Sequence, residues 1–492
     1  MTADILIFFP HDINDEDLHF QEQYIPDLLE SKLGSLKTIN SIYISVPHSF
    51  NSKDHDTSKT FQRNGIDDVN FWKELFEKTK SENIAIIRSD APFIDSAVIE
   101  DMISIHIDNM AEYTYSENLP EGLRCDIISS NLMNEIPPMS EETLSLSQII
   151  KGNINRFDVE LYYKGPDIRD KRLSFLSSSL RDKKIMENLI QLNGSTPSYE
   201  EIKELIENNP ESLFIGPSYI ETEITGACDA DCQFCYRKTL DNEHEHMDKD
   251  LFKKIITDMK EFDLPYSLCF GGSGEPLQHP HFYEIIDEAL KEPLCSQIIV
   301  ETNGIKADAN YASLVSRNES KKITTIVNLS ASSAEAYEAL YGIGAYEDIV
   351  KNCKAIDENA SGSIYLQILK INETEKDLDV YYDLWEPTGI PIILQKQNTW
   401  LGKTEDKRYS DLTPLERTPC WHLQRDLFIL SDGTIAYCKQ DVEGKNKSGS
   451  IADETLLEIW SKQKEEFLNN YKGKLPSSPN CKECDEWYTF NF

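Results

Sequence analysis

The amino-acid sequence predicts an α/β protein with three folded parts: an open N-terminal α/β domain, a partial (β/α)6 barrel of the TIM type, and a small C-terminal domain. Its 492 residues exceed the size of one ordinary domain. Short apolar runs alternate with helical periodicity at the start, six strand-then-helix units follow, and a separate group of cysteines comes last. The predicted domains are residues 1–165, 216–398 and 399–492, with a helical linker at 166–215.

Apolar runs and amphipathic spacing define the N-terminal elements. The predicted strands are Asp4–Phe9, Ser41–Val46 and Asn83–Ile87, and the predicted helices are Asn70–Lys78 and Asp95–Ile105. This alternation is typical of an open α/β sheet. The charged stretch Ile168–Asn208 has helical spacing, and a Gly-Ser-Thr-Pro sequence within Asn193–Ser198 interrupts it, as expected of a linker.

The barrel is predicted from six apolar runs, each followed by a turn or an amphipathic stretch. The predicted strands are Tyr219–Thr225, Tyr266–Phe270, Gln297–Glu301, Ile323–Ser330, Ser363–Ile371 and Ile390–Gln395. The clearest helices between them are Lys249–Glu261, Phe282–Lys291 and Tyr346–Asp357. Because parallel barrels place their chemistry at the carboxyl ends of the strands, we expect the site there.

The net charge and the grouping of the cysteines limit the classes of function that the chain can have. A net charge of −37 repels phosphate backbones and anionic membranes, so a nucleic-acid partner is disfavoured and no membrane role is expected. No secretory signal or membrane-spanning run is evident, which predicts a cytoplasmic protein. In that reducing compartment, grouped cysteines indicate metal ligands. Seven of the eleven cysteines form two groups, and the lone ones are predicted to be buried: Cys125, Cys269, Cys295 and Cys353.

The first group, Cys228, Cys232 and Cys235, follows the first barrel strand. Three thiolates can hold a 4Fe–4S cluster while leaving one iron without a protein ligand. S-adenosylmethionine (SAM) can complete that iron through its amino and carboxylate groups, and Phe234 and Tyr236 would exclude water. A zinc site or redox-active thiols would also use cysteines, but they suit this spacing poorly.

This Cys-x3-Cys-x2-Cys loop resembles the signature of the radical SAM superfamily. The second strand leads into Gly271-Gly272-Ser273-Gly274-Glu275-Pro276, similar to the stretch that binds the SAM amino group in that superfamily. The resemblance implies SAM contacts from Gly271, Gly272, Ser273 and Glu275. It also implies contacts near the nucleoside from Thr302, Asn303, Ser330 and Gln367. A tight turn at Asn303-Gly304 and a helix cap at Ser330, Ser332 or Ser333 are the alternatives.

The second group is Cys420, Cys438, Cys481 and Cys484, and an Asp432-Gly433 turn is predicted to form a hairpin that returns Cys438 towards Cys420. Four thiolates would saturate one cluster. The pattern resembles the SPASM/twitch extension of radical SAM enzymes, which implies one auxiliary 4Fe–4S cluster, and a four-cysteine zinc site is the alternative. We expect His422 not to be a ligand and Asp441 to orient a cysteine.

The N-terminal domain resembles cytidylyltransferases in the segment Arg88-Ser89-Asp90-Ala91-Pro92-Phe93. In those enzymes an Asp at this strand end binds metal. Their glycine-rich, basic phosphate loop is replaced by Pro10-His11-Asp12-Ile13-Asn14-Asp15, so we expect a degenerate nucleotidyltransferase-like domain. Asp90 as a helix N-cap is the alternative. The whole arrangement resembles the spiro-SPASM family.

These resemblances imply an enzyme that cleaves SAM reductively to a 5′-deoxyadenosyl radical and abstracts hydrogen from a peptide, protein or sugar-like substrate. The auxiliary cluster would transfer electrons, and flavodoxin or ferredoxin would be the donor. An RNA-modifying radical SAM enzyme and a non-catalytic iron–sulfur carrier or scaffold are the alternatives.

Overall fold

The computed structural model describes residues 2–50, 59–63, 69–136, 146–240, 246–410 and 413–489. The chain divides into two compact units, Met1–Ile215 and Gly216–Phe492. The first unit groups the predicted segments 1–165 and 166–215, and the second groups 216–398 and 399–492; the finer division remains a prediction. Within the described ranges, no helix is both long and apolar enough to cross a membrane.

A seven-stranded mixed sheet, flanked by helices, forms the first unit and confirms the open α/β architecture. In chain order the strands are β1 Ala3–Phe8, β2 His19–Phe20, β3 Gln23–Tyr24, β4 Ile39–Pro47, β5 Thr60–Arg63, β6 Asn83–Arg88, β7 Tyr113–Tyr115, β8 Asp126–Ser129 and β9 Val159–Leu161. The sheet order is β5-β4-β1-β6-β8-β7-β9, and β2 and β3 form a separate hairpin. The three predicted strands are confirmed as β1, β4 and β6.

The helices of the first unit bury one apolar face each. They are α1 Ile25–Leu33, α2 Val69–Thr79, α3 Ser96–Asp108, α4 Ser130–Glu135, α5 Leu146–Gly152, α6 Leu180–Asn193 and α7 Tyr199–Asn208. The predicted break at Asn193–Ser198 is confirmed, because α6 ends at Gly194 with φ +81° and Ser198 caps α7 in a capping box with Glu201. Residues 172–179 of the predicted helical stretch are not helical.

Six parallel strands form the barrel of the second unit, as predicted. They are β10 Tyr219–Thr222, β11 Tyr266–Phe270, β12 Cys295–Thr302, β13 Ile323–Asn328, β14 Ser363–Lys370 and β15 Ile392–Lys396. Their helices are α8 Lys249–Met259, α9 Phe282–Lys291, α10 Ala309–Val315, α11 Ala334–Tyr341, α12 Tyr346–Asn359, α13 Asn372–Glu375 and α14 Leu378–Trp385. The strands lie side by side in chain order, so their carboxyl ends meet at one rim.

The C-terminal strands extend the same sheet. The remaining elements are α15 His422–Arg425, β16 Asp426–Ile429, β17 Thr434–Ala436, β18 Lys447–Ser450 and α16 Leu456–Tyr471. Strand β16 pairs in parallel with β10, in the register Tyr219 to Asp426, and β17 and β18 follow antiparallel. The predicted Asp432-Gly433 turn is confirmed, with Gly433 at φ +84°. This pairing places the C-terminal cysteine segment beside the first barrel strand.

Candidate active site

The cysteine loop follows β10, and neighbouring elements hold it by its backbone. Glu275 N donates to Ala227 O at 2.7 Å, which ties the loop to the turn after β11. Asp231 N and Gln233 N donate to Tyr341 O and Leu340 O, both at 2.9 Å, which ties it to the end of α11. The loop is therefore fixed on two sides although its own residues form no helix or strand.

The three thiols of this loop interact electrostatically. Burial raises the pKa of Cys232 to about 12, and the charges of Cys235 and then Cys228 raise it further. Burial also raises the pKa of Cys228 to about 11. Since metals bind the thiolate, cluster assembly must release these protons.

The glycine-rich turn after β11 packs against residues 223–225, which directly follow β10. Gly272 has φ +97°, and a Cβ there would lie 2.7 Å from Glu223 Cβ; a Cβ on Gly274 would lie 2.0 Å from Thr225 O. Ser273 N donates to Glu223 Oε2 at 2.8 Å. Contacts within the protein thus require glycine at these positions. No local sequence pattern indicates the contacts, because Glu223 lies about fifty residues before the turn.

Glu275 organises the end of β12. Its carboxylate accepts hydrogen bonds from Thr302 Oγ1 at 2.7 Å, Asn303 N at 2.7 Å and Leu277 N at 3.2 Å. Burial raises its pKa to about 7, while these donors, Asn303 N first, oppose the shift. Asn303 Nδ2 in turn lies 2.8 Å from Asp229 Oδ1 and 3.8 Å from Cys228 Sγ. The predicted residues Glu275, Thr302 and Asn303 therefore form one network that reaches the cysteine loop.

Ser330 and Gln367 connect neighbouring strands. Ser330 Oγ accepts from Leu369 N at 3.0 Å, and Gln367 Nε2 donates to Asn328 Oδ1 at 2.6 Å. Ser330 is therefore not a helix cap; that position belongs to Ser333, which accepts from Ala336 N at the start of α11. Contacts of Ser330 and Gln367 with a nucleoside remain a prediction.

The two aromatic residues beside the last thiol pack against other rings. Phe234 meets Tyr341 edge-on, with ring centroids 5.4 Å apart, and Tyr236 lies 4.4 Å from Trp400. Tyr236 is buried. Exclusion of water from the thiols by these rings stays a prediction.

The residues present fit a SAM-binding cluster. The three thiols of the cysteine loop supply one ligand fewer than the irons of a cubane. Ser273 Oγ is buried and has no hydrogen-bond partner among the described residues, so a polar acceptor or donor is available beside the cysteine loop. This hydroxyl and the backbone of the glycine turn would hold the polar end of SAM.

The second cysteine group is assembled from three segments. Burial raises the pKa of Cys420 to about 12, and the charges of Cys484 and Cys481 add to the shift. Burial and then Cys420 raise the pKa of Cys438 well above its usual value. The four thiols therefore act on one another electrostatically. Cys420 N donates to Asn470 Oδ1 at 2.6 Å, so α16 fixes the first of these segments.

His422 and Asp441 bond to groups other than the thiols, and the roles predicted for them at the second cysteine group stay predictions. His422 contacts Asp426 Oδ2 at 2.5 Å and Glu486 O at 2.9 Å through its two ring nitrogens. Asp441 accepts from Lys445 N and Asn446 N, so its carboxylate shapes its own loop. Within the described part of the chain, no group of three or more His, Cys, Asp and Glu side chains is arranged around a single metal ion.

Charged residues inside the barrel were not predicted. Glu221 of β10 forms an ion pair with Lys439 at 2.7 Å, and Lys439 directly follows Cys438. Glu301 of β12 lies within electrostatic reach of both. The sequence did contain a signal for this ion pair. Parallel sheets are buried on both faces, so a carboxylate within one of their strands needs a charged or hydrogen-bonding partner.

In the first unit, Asp90 is not a helix N-cap, so the alternative role considered for it is wrong. Asp95 caps α3 by accepting from Ala97 N, whereas the Asp90 carboxylate accepts from Arg88 at 2.9 and 2.8 Å and from Ser178 Oγ at 2.6 Å. Asp90 is fully buried in this ion pair. Its partners within the protein thus occupy the carboxylate that would bind metal in a cytidylyltransferase.

Comparison with known proteins agrees with this geometry. Residues 222–384 match the model of the radical SAM superfamily, and residues 420–485 match that of the SPASM iron–sulfur cluster-binding domain. An uncharacterized protein of Treponema pallidum is 28% identical over 366 residues, covering 71% of this chain and 99% of that protein. The mycofactocin maturase MftC of Mycobacterium tuberculosis is 20% identical over 176 residues, covering 36% of this chain and 44% of the maturase.

Among solved structures, Streptococcus suis SuiB bound to precursor peptide SuiA has a TM-score of 0.46 and 14% identity, covering 58% of this chain and 73% of SuiB. The two matched domains contain both cysteine groups and imply a 4Fe–4S cluster, SAM and auxiliary iron–sulfur binding. The chain therefore contains a radical SAM domain followed by a SPASM domain, an arrangement that supports an enzyme of the radical SAM type.

Proposed function

We propose that this enzyme uses the cysteine loop to cleave SAM and to abstract a hydrogen atom from a peptide or protein substrate. The observation that carries the proposal is the convergence of three thiols with the Glu275–Asn303 network at the ends of β10, β11 and β12. When bound, a 4Fe–4S cluster would supply the electron that breaks a carbon–sulfur bond of SAM, giving methionine and a 5′-deoxyadenosyl radical.

The residues of the chain then have separate roles. Cys228, Cys232 and Cys235 would hold the cluster, while Asn303 contacts the first of these thiols and orients it. Phe234 and Tyr236 would exclude water, which protects a reactive radical from side reactions. We assign the four-cysteine group to the auxiliary cluster, which would accept or return the electron of the substrate, with flavodoxin or ferredoxin as the outside donor.

A peptide or protein is the substrate class that we favour over a sugar-like one. The support is the similarity to a maturase, MftC. The net charge of −37 disfavours the RNA-modifying alternative, because charge repulsion opposes binding of a phosphate backbone. The SAM-binding geometry disfavours a simple electron carrier, which would need neither the glycine turn nor an open iron position.

Hydrogen transfer from deuterated material tests the substrate class. The anaerobically reconstituted enzyme is incubated with SAM, dithionite and extract from cells grown in deuterated medium, separated into protein, peptide and small-molecule fractions. We expect deuterium in 5′-deoxyadenosine with the protein or peptide fraction, and its loss when that fraction is first digested with a nonspecific protease. Transfer only from the small-molecule fraction would contradict a peptide substrate and favour a sugar-like one.

A further inference from the structure

A charged site lies inside the barrel, beside the cysteine loop. We define the barrel-interior site as Glu221, Glu301, Lys439, Tyr236 and Cys269, which come from β10, β12, the segment after β17, the cysteine loop and β11. Glu221 and Cys269 are register partners on β10 and β11, and Cys269 pairs with Ile299 on β12. Cys269 and Ile299 pack in one interior cluster, and Glu301 lies two positions further along β12, on the same face as Ile299. Glu221, Cys269 and Glu301 therefore share the interior face of the sheet, and Lys439 pairs with Glu221 there.

One carboxylate of this site is left over after the internal pairing. Lys439 is paired with Glu221 at 2.7 Å, and the Glu221 side chain is 3% exposed. The Glu301 side chain has no hydrogen bond or ion pair to a described residue, although its charge acts on Lys439. With two carboxylates against one ammonium, the site carries an excess of negative charge that an uncharged ligand would leave unbalanced.

A buried hydroxyl faces the same region. Tyr236 is 5% exposed, and its hydroxyl has no hydrogen-bond partner among the described residues. The charges of Glu223, Cys235, Glu221 and Glu301 act on this hydroxyl, so it shares the electrostatic environment of the barrel-interior site. A buried polar group without a partner costs free energy, which a ligand would recover by accepting or donating a hydrogen bond.

We infer that the barrel-interior site binds a cationic amino group of the substrate, with Glu301 as its counter-ion and the Tyr236 hydroxyl as its hydrogen-bond partner. This inference rests on the proposed function and names the chemical class of the substrate. A primary ammonium suits the site because it brings one positive charge and up to three donors, whereas Lys439 already neutralises Glu221. A lysine side chain or a free amino terminus of a peptide has this chemistry.

Calorimetric titration of the reconstituted holoenzyme with SAM tests the inference. The probe is Nα-acetyl-lysine methylamide, and the control probe is its Nε-acetylated form, which has the same backbone but no charge. We expect saturable binding of the cationic probe and binding at least about tenfold weaker for the neutral one. Glu301→Gln should weaken the cationic probe at least about tenfold, Glu301→Asp should weaken it less, and Glu319→Gln, an exposed carboxylate of the same unit, should change nothing.

Three results would overturn the inference: no saturable binding of the cationic probe to the wild-type enzyme, equal affinity for both probes, or unchanged affinity in a Glu301→Gln variant with wild-type iron content and melting temperature. If Glu301→Gln does not fold, the comparison of the two probes on the wild-type enzyme decides. Formation of 5′-deoxyadenosine by the wild type, measured without either probe, distinguishes failure of this inference from failure of the proposed function. Its presence without probe binding rejects only this inference, and its absence rejects the proposed function itself.

Discussion

The two cysteine groups of the second unit are built in different ways. The first lies on one short loop at the carboxyl end of β10, and backbone hydrogen bonds from two neighbouring elements hold that loop. The second brings together three segments between residues 420 and 484, which β16, β17 and α16 position. A loop with three thiols leaves an iron open for SAM, whereas four thiols saturate a cluster. The comparison teaches that the reactive site needs few ligands in a rigid loop, while a saturated site can be distributed.

Removing the late Cys-x2-Cys pair should separate the two groups most strongly. In Cys481→Ser/Cys484→Ser we expect iron to fall from about eight to about four atoms per chain, because only the second group loses ligands. Formation of 5′-deoxyadenosine from SAM should persist. Iron and sulfide analysis of anaerobically purified protein provides the measurement. Two results would contradict the distinction between the groups: a wild-type protein that holds zinc in place of about four of the irons, or a variant that no longer cleaves SAM.

Lys439 links the second group to the barrel, so its removal tests how far the groups are independent. In Lys439→Met the Glu221 carboxylate loses its partner in a buried position, and we expect a loss of about 3 kcal/mol in the free energy of unfolding. Urea unfolding of the apoprotein measures the change. The exposed Lys464→Met is the matched control and should stay within about 0.5 kcal/mol of the wild type. A Lys439→Met variant as stable as this control would show that the ion pair is not a structural link.

The pH dependence of stability tests the network behind the first group. Burial raises the folded-state pKa of Glu275 to about 7, above the 4.5 of an exposed glutamate. The folded state therefore retains a proton that the unfolded state releases, and Glu275 costs stability as the pH rises from about 4.5 to about 7. We expect Glu275→Gln to gain about 1–3 kcal/mol relative to the wild type between pH 5 and pH 8. A constant difference in urea unfolding across that range would reject the shift.

Asn303 should have the smallest effect of these changes. Asn303→Ala removes the amide contacts to Cys228 and Asp229, which help to orient one ligand of the first group but do not supply one. We expect the iron content to remain, and the initial rate of 5′-deoxyadenosine formation to fall about two- to tenfold. Asn310→Ala, in the helix after this turn, serves as the control. An unchanged rate would show that Asn303 only supports the turn.

The sequence predicted the local features well and the long-range contacts poorly. The cysteine loop, the glycine turn and the six barrel strands each have a short-range pattern, and their predicted architecture agrees with the structure. The pairing of β16 with β10 joins residues about two hundred positions apart, and no local pattern indicates it. For the same reason the ion pair of Glu221 and Lys439, and the contact of Glu223 with the glycine turn, were missed. Asp90 shows a further limit, because Arg88 two residues away competes for its carboxylate.

The central claim is that Cys228, Cys232 and Cys235 together hold the cluster that opens SAM. The most direct measurement is 5′-deoxyadenosine formation from SAM and dithionite by the anaerobically reconstituted chain. We expect the Cys228→Ala, Cys232→Ala and Cys235→Ala variants each to lose at least about 100-fold of the wild-type rate, and Cys295→Ala, a buried cysteine outside both groups, to retain it. Wild-type rates in the three loop variants, or no 5′-deoxyadenosine from the wild type itself, would contradict the claim.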